Sequence, residues 1–146
     1  MEIDRIDGRL PPDALAVRRE VFVAEQGVPE SRELDGKDDE ATHLVAADGD
    51  RPIGTARIRR YDDGATGDDE AAKVERVAIV EDRRGEGLGR ELMDEAEALA
   101  AASGYDRIVL HAQLPVVTFY KRLGYEPVGG VFEDAGIDHR EMRKPL

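Results

Sequence analysis

The sequence predicts a mixed α/β (α+β) domain, with a central, mostly antiparallel sheet and helices packed on it. Three observations carry this. The apolar segments run β, α, β-β-β, α, β, α, β-β, which is not the strict alternation of a doubly wound sheet. Residues 85–103 place apolar side chains at helical spacing, and residues 73–80 form a short, mostly apolar run suited to a sheet interior. The chain has 146 residues. That fits one domain over 1–146, large enough to bury about 68–70% of its unfolded surface without staples.

The elements follow in order. Residues 1–6 read as an opening strand. Pro11, Pro12 and Asp13 start a helix, because proline fits a first turn and an acid favours the positive helix end. Ala14, Val17 and Val21 share its apolar face, and it breaks near Gln26, Gly27, Val28 and Pro29. Residues 42–47 and 53–58 are β-type runs joined by the turn Asp48-Gly49-Asp50. The strand 73–80 comes next. In the helix 85–103, Leu88, Leu92, Ala96 and Leu99 form the buried stripe, Glu91, Asp94, Glu95 and Glu97 fall largely outside it, and Gly104 is the stop. A strand at 108–112 precedes a helix at 115–123 that ends at Gly124. Strands at 125–128 and 137–143 close the chain around a glycine-containing turn. The acidic stretches 33–40 and 62–70 read as surface loops.

Composition narrows the chemistry. Hydrophobic residues make up 40% and cysteine is absent, so disulfides, zinc ribbons and thiol catalysis are excluded. No apolar run approaches the ~20 residues of a membrane span, and the first residues carry no secretory signal. A cytoplasmic location is expected. With 33 acidic against 21 basic residues the formal net charge is −12, which would repel nucleic acid. Only Lys37, Lys73, Lys121 and Lys144 are lysines among the cations. An acidic, lysine-poor surface fits a halophilic cytoplasm, and stability rising with KCl is the expectation that follows.

The most informative segment runs from the strand at 73–80 through Arg83, Arg84, Gly85, Gly87 and Gly89 to Arg90. A buried strand enters a glycine-rich turn that opens a long helix. The first amides of a helix lack internal partners, and with the macrodipole they attract anions. The glycines let backbone approach a ligand, and the arginines add positive charge, so a diphosphate is the natural occupant. The spacing is wrong for a dinucleotide fingerprint, and a P-loop would need a Gly-Lys-Ser/Thr ending.

Arg84-Gly85-Glu86-Gly87-Leu88-Gly89 resembles the Q/R-x-x-G-x-G/A motif of the GNAT acetyltransferase superfamily. About thirty residues later, Phe119-Tyr120-Lys121-Arg122-Leu123-Gly124-Tyr125 resembles the same family's F-Y-x-x-x-G-F/Y element. The segment Val21-Phe22-Val23-Ala24-Glu25-Gln26, Asp35, Ala41-Thr42-His43 and the tail from Gly136 to Met142 are similar to the ElaA-like (YjcF-like) subgroup. The resemblance implies a mixed sheet of about six or seven strands flanked by about four helices. It also implies acetyl-CoA as co-substrate and transfer of the acetyl group to a primary amine by direct attack in a ternary complex. The diphosphate would lie on amides from Arg84 or Gly85 through Gly87, Leu88 and Gly89 to Arg90. The pantetheine arm would run along Val77 and Ile79, with the Val77 amide at the acetyl carbonyl.

Tyr120 falls where the family often holds a general acid, and it would protonate the departing CoA thiolate. The alternative is a core aromatic, for which Phe119 is the better candidate. Gln113 stands where many members have asparagine; a contact to the pantetheine arm and a helix-capping role both remain open. Glu75, two residues before Val77, would share its face by strand alternation and could take the amine's proton, directly or through water; a solvated strand residue, or one salt-bridged to Arg57 or Arg76, is the alternative. His43 and His139 are further base candidates, with fixing a loop by hydrogen bonding as the alternative for each, and His111 in its apolar strand reads as structural. No metal site is expected, since no His pair or EF-hand pattern exists.

The acceptor the resemblance implies is a small-molecule or peptide amine. The acidic loop 27–40, with Glu30, Glu33, Asp35, Asp38, Asp39 and Glu40, would attract a cationic amine or simply be solvated surface. No nucleic acid and no membrane are expected as partners, and a homodimer is left open. The rival class is a non-catalytic acyl-CoA sensor, which needs the turn but neither Tyr120 nor a base. A nucleotide-phosphate binder on the same turn is the weaker third option.

Overall fold

A computed structural model describes residues 1–61 and 70–146; the predicted loop at 62–70 lies almost wholly outside the described residues. Strands β1 (Glu2–Asp7), β2 (Thr42–Asp48), β3 (Arg51–Arg60), β4 (Ala71–Ile79), β5 (Arg107–Gln113), β6 (Glu126–Asp134) and β7 (Ile137–Pro145) form one sheet in the order β1-β2-β3-β4-β5-β7-β6. Every neighbouring pair is antiparallel except β4–β5. The helices are α1 (Pro12–Arg18), the short α2 (Glu30–Glu33), α3 (Leu88–Ala102) and α4 (Val117–Arg122).

Local chemistry explains where these elements begin and end. Pro12 occupies the first turn of α1, and Ala14 and Val17 are buried as predicted. The helix then widens into a π-helical stretch, Arg19–Glu25, in which Gln26 N–H bonds the carbonyl of Val21. The predicted helix at 85–103 begins only at Leu88, because Gly85 and Gly87 have φ of 81° and 83°, a left-handed backbone that no α-helix contains. Leu88, Leu92, Met93, Ala96 and Ala100 are its buried side chains, while Leu99 is partly buried. Each fully buried Leu or Met contributes roughly 1.5–3 kcal/mol. The predicted helix at 115–123 divides into a 3-10 turn, Leu114–Val116, and α4. β6 runs longer than predicted. Its register against β7 shifts between Val128 and Phe132, around Gly129 and Gly130.

α3 lies close on the sheet. A Cβ on Gly54 of β3 would meet Ile79 Cδ1 at 3.0 Å, Leu92 Cδ1 at 3.2 Å and Leu88 Cδ2 at 3.3 Å. Ile58, Val74, Ile108, Leu110 and Met142 complete this core layer.

Candidate functional site

Two strands part at the centre of the sheet. The parallel pair β4–β5 has register partners from Ala71–Arg107 to Val74–Leu110 and none beyond among the described residues, although β4 continues to Ile79 and β5 to Gln113. The cause is a bulge in β4. Glu75 faces Arg57 and Ala78 faces Thr55, so residues 76 and 77 together oppose Ala56, and Arg76 takes φ of 56°. An extra residue bends its strand and increases the local twist, which swings the end of β4 away from β5.

The bulge also changes which side chains share a face. Arg57 and Thr55 lie on one face of β3, so their partners Glu75 and Ala78 do too. Val77 therefore falls on the face opposite Glu75. The expected shared face of Glu75 and Val77 does not occur, because alternation fails across a bulge. The bulge leaves useful backbone instead. Val80 N–H bonds the carbonyl of Ile53 on β3. By alternation, the peptide groups of Val77 and Ile79 point the other way, into the fork.

The glycine-rich turn closes the mouth of this fork. Among the described residues, no acceptor takes the amides of residues 85–90; the first bonded amide of the helix is that of Glu91, to Gly87 O at 3.1 Å. A Cβ on Gly85 or Gly87 would have nothing within 4 Å, so these amides look onto open space. Gly89 is different: its Cβ would lie 3.2 Å from Phe119 Cζ, so here glycine lets α3 pack on α4. Leu88 is buried in the core. The arginines are unequal as well. Arg84 holds Glu25 with two bonds of 2.8 Å and donates Nε–H to Ile79 O at 3.0 Å. Arg83 pairs with Asp48 and Glu86. Arg90 is exposed and has no ion pair among the described residues.

Tyr120 projects from α4 beside Phe119 and Tyr125, with ring centroids 5.0 and 5.8 Å away. Of the two adjacent aromatics it is the more buried, at 6% exposure, whereas Phe119 is only partly buried; the sequence suggested the reverse. Its hydroxyl makes no hydrogen bond with a described residue, yet it is not among the sealed, unpartnered polar atoms. Burial pushes its pKa up, so it stays protonated across the physiological range. Gln113, at the end of β5, exchanges amide bonds of 2.9 and 3.3 Å with Gln26 and ties the π-helical stretch to that lip of the fork.

Beneath the loop that follows α1 lies a buried charge cluster, of which the sequence reading offered only the pairing of Glu75 with Arg57 or Arg76. Arg18 and Arg57 are almost wholly buried. Arg18 donates to Glu33 and Asp38, both at 2.8 Å. Arg57 donates to Asp35 at 2.9 Å through each terminal nitrogen, to Asp38 at 3.1 Å and to Glu75 at 3.0 Å. Arg76 adds contacts to Glu33 and Asp35, while Arg59 and Lys73 reach Glu75. The acids at 33, 35 and 38 thus point inward to arginines, and Glu30 pairs with Arg19. They do not form a free acidic rim for a cationic amine. The signal lay in Arg18 and Arg57, charges set within apolar patterning whose burial demands counter-charges.

These partners fix the character of the base candidates. Despite its burial, Glu75 has its pKa drawn down to about 2 by the Arg59 hydrogen bond and the charges of Arg57 and Lys73. A carboxylate so stabilised is a weak proton acceptor. His43 is buried with Nε2 3.0 Å from Asp38 O, and its Nδ1 is sealed without a partner. His139 holds Ile137 O at 2.7 Å through Nδ1. Among the described residues no helix is long and apolar enough to cross a membrane, and no group of three or more acids or histidines is placed to hold a metal ion.

Comparison with known proteins bears on this arrangement. A family model described as the acetyltransferase (GNAT) domain matches residues 10–146. The uncharacterised N-acetyltransferase YjcF of Bacillus subtilis is 39% identical over 133 residues, covering 90% of each chain. Protein ElaA of Escherichia coli is 33% identical over 135 residues, covering 90% of this chain and 85% of its own. The crystal structure of Escherichia coli ElaA superposes with a TM-score of 0.83 at 30% identity, covering 98% of both chains. An acyl-CoA N-acyltransferase structure from Pseudomonas aeruginosa gives 0.83 at 27% identity, covering 99% of both. The likeness extends over almost the whole chain, and the chain belongs to the GNAT acetyltransferase family.

Proposed function

We propose that this acyltransferase moves the acetyl group of acetyl-CoA to a primary amine by direct attack in a ternary complex. The observation that carries the reading is the row of unpartnered amides at residues 85–90, set at the mouth of the β4–β5 fork. Those of Gly85, Gly87, Leu88, Gly89 and Arg90 suit a diphosphate, with the Arg90 guanidinium at the rim. Arg84 contributes through its position at the turn, since its side chain is engaged by Glu25. The peptide edge at Val77 and Ile79 suits the pantetheine arm, paired as one more strand, although Ile79 O already accepts from Arg84 Nε–H. Gln113 stands at the facing lip, where its amide meets that arm only by exchanging its bonds to Gln26.

The chemistry follows from these placements. The Val77 N–H would receive the oxygen that becomes negative as the amine adds to the thioester, an effect typically worth about 3–4 kcal/mol. Tyr120 would give its proton to the departing thiolate; its raised pKa keeps that proton in place until then. Glu75 would hold the cation cluster that braces the bulge. No cysteine exists to carry an acyl group covalently, which favours direct transfer.

The test is CoA thiol release from acetyl-CoA across a panel of primary amines, preceded by a thermal shift with CoA against ATP. Stabilisation by CoA over ATP with turnover of at least one amine is expected. Tight CoA binding with no acceptor would favour the non-catalytic sensor, and stabilisation by ATP alone would favour a nucleotide binder.

A further inference from the structure

The last β4–β5 rung joins Val74 to Leu110. The next residue on each strand is the first on its lip of the fork: Glu75 on β4 and His111 on β5. Lys73 lies opposite Val109, so alternation projects Glu75 and His111 from the same face of the sheet. That face is opposite the α3 core layer, to which Leu110 and Ala112 contribute. Two ionisable side chains therefore flank the point where the strands separate. Glu75 is committed to Arg57, Arg59 and Lys73. His111 is held differently.

The His111 side chain is 27% exposed, and its Nε2 lies 3.3 Å from Glu141 Oε1 on β7. A carboxylate only accepts, so Nε2 carries the hydrogen and Nδ1 the lone pair. Nδ1 has no bond to a described residue and is not among the sealed polar atoms, so it is open to solvent. Glu141 is in turn fixed by Arg143, at 2.9 and 3.1 Å, and by the Tyr61 hydroxyl at 3.3 Å. Phe132 of β6 packs against the imidazole at 4.9 Å between centroids and stacks on His139. The charged groups around the ring are thus Lys73 and Glu75 from β4 and Glu141 and Arg143 from β7. Burial and Lys73 lower the His111 pKa below its ordinary value, so the ring is neutral at pH 7.

From this geometry we infer that His111 accepts the proton of the attacking amine, with Glu141 as its positioning residue, an assignment that rests on the acetyl-transfer reading. The neutral amine's lone pair forms the N–C bond as the carbonyl π pair moves to oxygen. The nitrogen's proton then passes to His111 Nδ1, directly or through one water. The oxyanion reforms the carbonyl, the C–S bond breaks, and the thiolate takes the Tyr120 proton. Proton exchange with solvent returns imidazolium and phenolate to their starting forms and leaves amide and CoA thiol.

The experiment measures acetyl-CoA turnover with a panel of spermidine, lysine amide and an alanyl dipeptide. It compares wild type with His111→Ala, His111→Gln and Glu141→Gln, with CoA affinity followed by calorimetry. In wild type, kcat/KM referred to the neutral form of the amine should fall as pH drops below the lowered histidine pKa and be flat above it. Both His111 variants should lose about 100-fold or more in kcat with CoA affinity unchanged, and lose the acid limb. Added imidazole should restore part of the rate to His111→Ala. Glu141→Gln should move the limb to lower pH, since the carboxylate's charge raises the histidine pKa. NMR titration of His111 in wild type keeps the test independent of how the variants fold. Its midpoint should match the kinetic limb, and a mismatch above about one pH unit would overturn the assignment. Retention of wild-type kcat and the acid limb in His111→Ala would overturn it alone. Absence of turnover by wild type with every amine would overturn the acetyl-transfer reading and this one with it.

Discussion

Replacing Arg57 by methionine removes the hub of the buried charge cluster at nearly constant volume. Arg57 is 0% exposed and makes four bonds of 2.9–3.1 Å to Asp35, Asp38 and Glu75. Breaking a buried ion pair by removing one partner costs about 3–5 kcal/mol, because the other charge is left uncompensated. Here each carboxylate keeps a second cation: Arg76 at 3.3 Å from Asp35, Arg18 at 2.8 Å from Asp38, and Lys73 at 3.3 Å from Glu75. That places the loss at the lower end, about 3 kcal/mol, or about 6–12 °C in melting temperature for a chain of this size. Urea denaturation of Arg57→Met, Asp35→Asn and the double variant would measure it. The two changes should be coupled by about 1 kcal/mol or more, since they remove the same bonds. A single-variant loss below about 1 kcal/mol, the range of exposed pairs, would refute the reasoning.

The remaining predictions bear on the site. Tyr120→Phe should lower kcat at least about tenfold, with CoA affinity and melting temperature little changed because the hydroxyl gives up no protein hydrogen bond; wild-type turnover would remove Tyr120 from the mechanism. Gly87→Val should cost about 1–2 kcal/mol, since φ of 83° suits glycine, and should weaken CoA binding about tenfold or more by covering the amides; undiminished affinity in calorimetry would exclude the turn as the diphosphate site. Glu75 has a folded pKa of about 2 against an ordinary 4.5. Its stabilisation, on the order of 3 kcal/mol, is therefore complete above pH 4.5 and disappears as pH falls through about 2. Urea midpoints followed into acid should show this loss in wild type and a shallower one in Glu75→Gln, and equal slopes would contradict it.

Some of this site was legible residue by residue. Gly85 and Gly87 announced a backbone that side chains would obstruct, and both have positive φ and open surroundings. Gly89 carried the same letter for another reason, the packing of Phe119, which no spacing rule separates from ligand approach. Arg76 gave no warning. A non-glycine residue at φ of 56° in a strand has no local signature, and its bulge broke the alternation on which the placement of Glu75 depended. The acidic loop misled for a related reason. Composition counts charges without their partners, and Asp35 and Asp38 find theirs on β3, about twenty residues away. His111 read as structural because its neighbours are apolar, while the groups that give it character, Lys73 and Glu141, lie on adjacent strands.

The sequence by itself determined the order of the seven strands and the three longer helices, though not the short α2, most of the buried stripe of α3 and the glycine turn that starts it. All of these follow from side-chain periodicity and backbone permission within a few residues. Only the tertiary structure decided where β4 leaves β5, which charges are buried together and which ionisable groups face the opening. Those are properties of pairs far apart in the chain. Strand register and burial fix them, and both are set by the packing of the whole sheet.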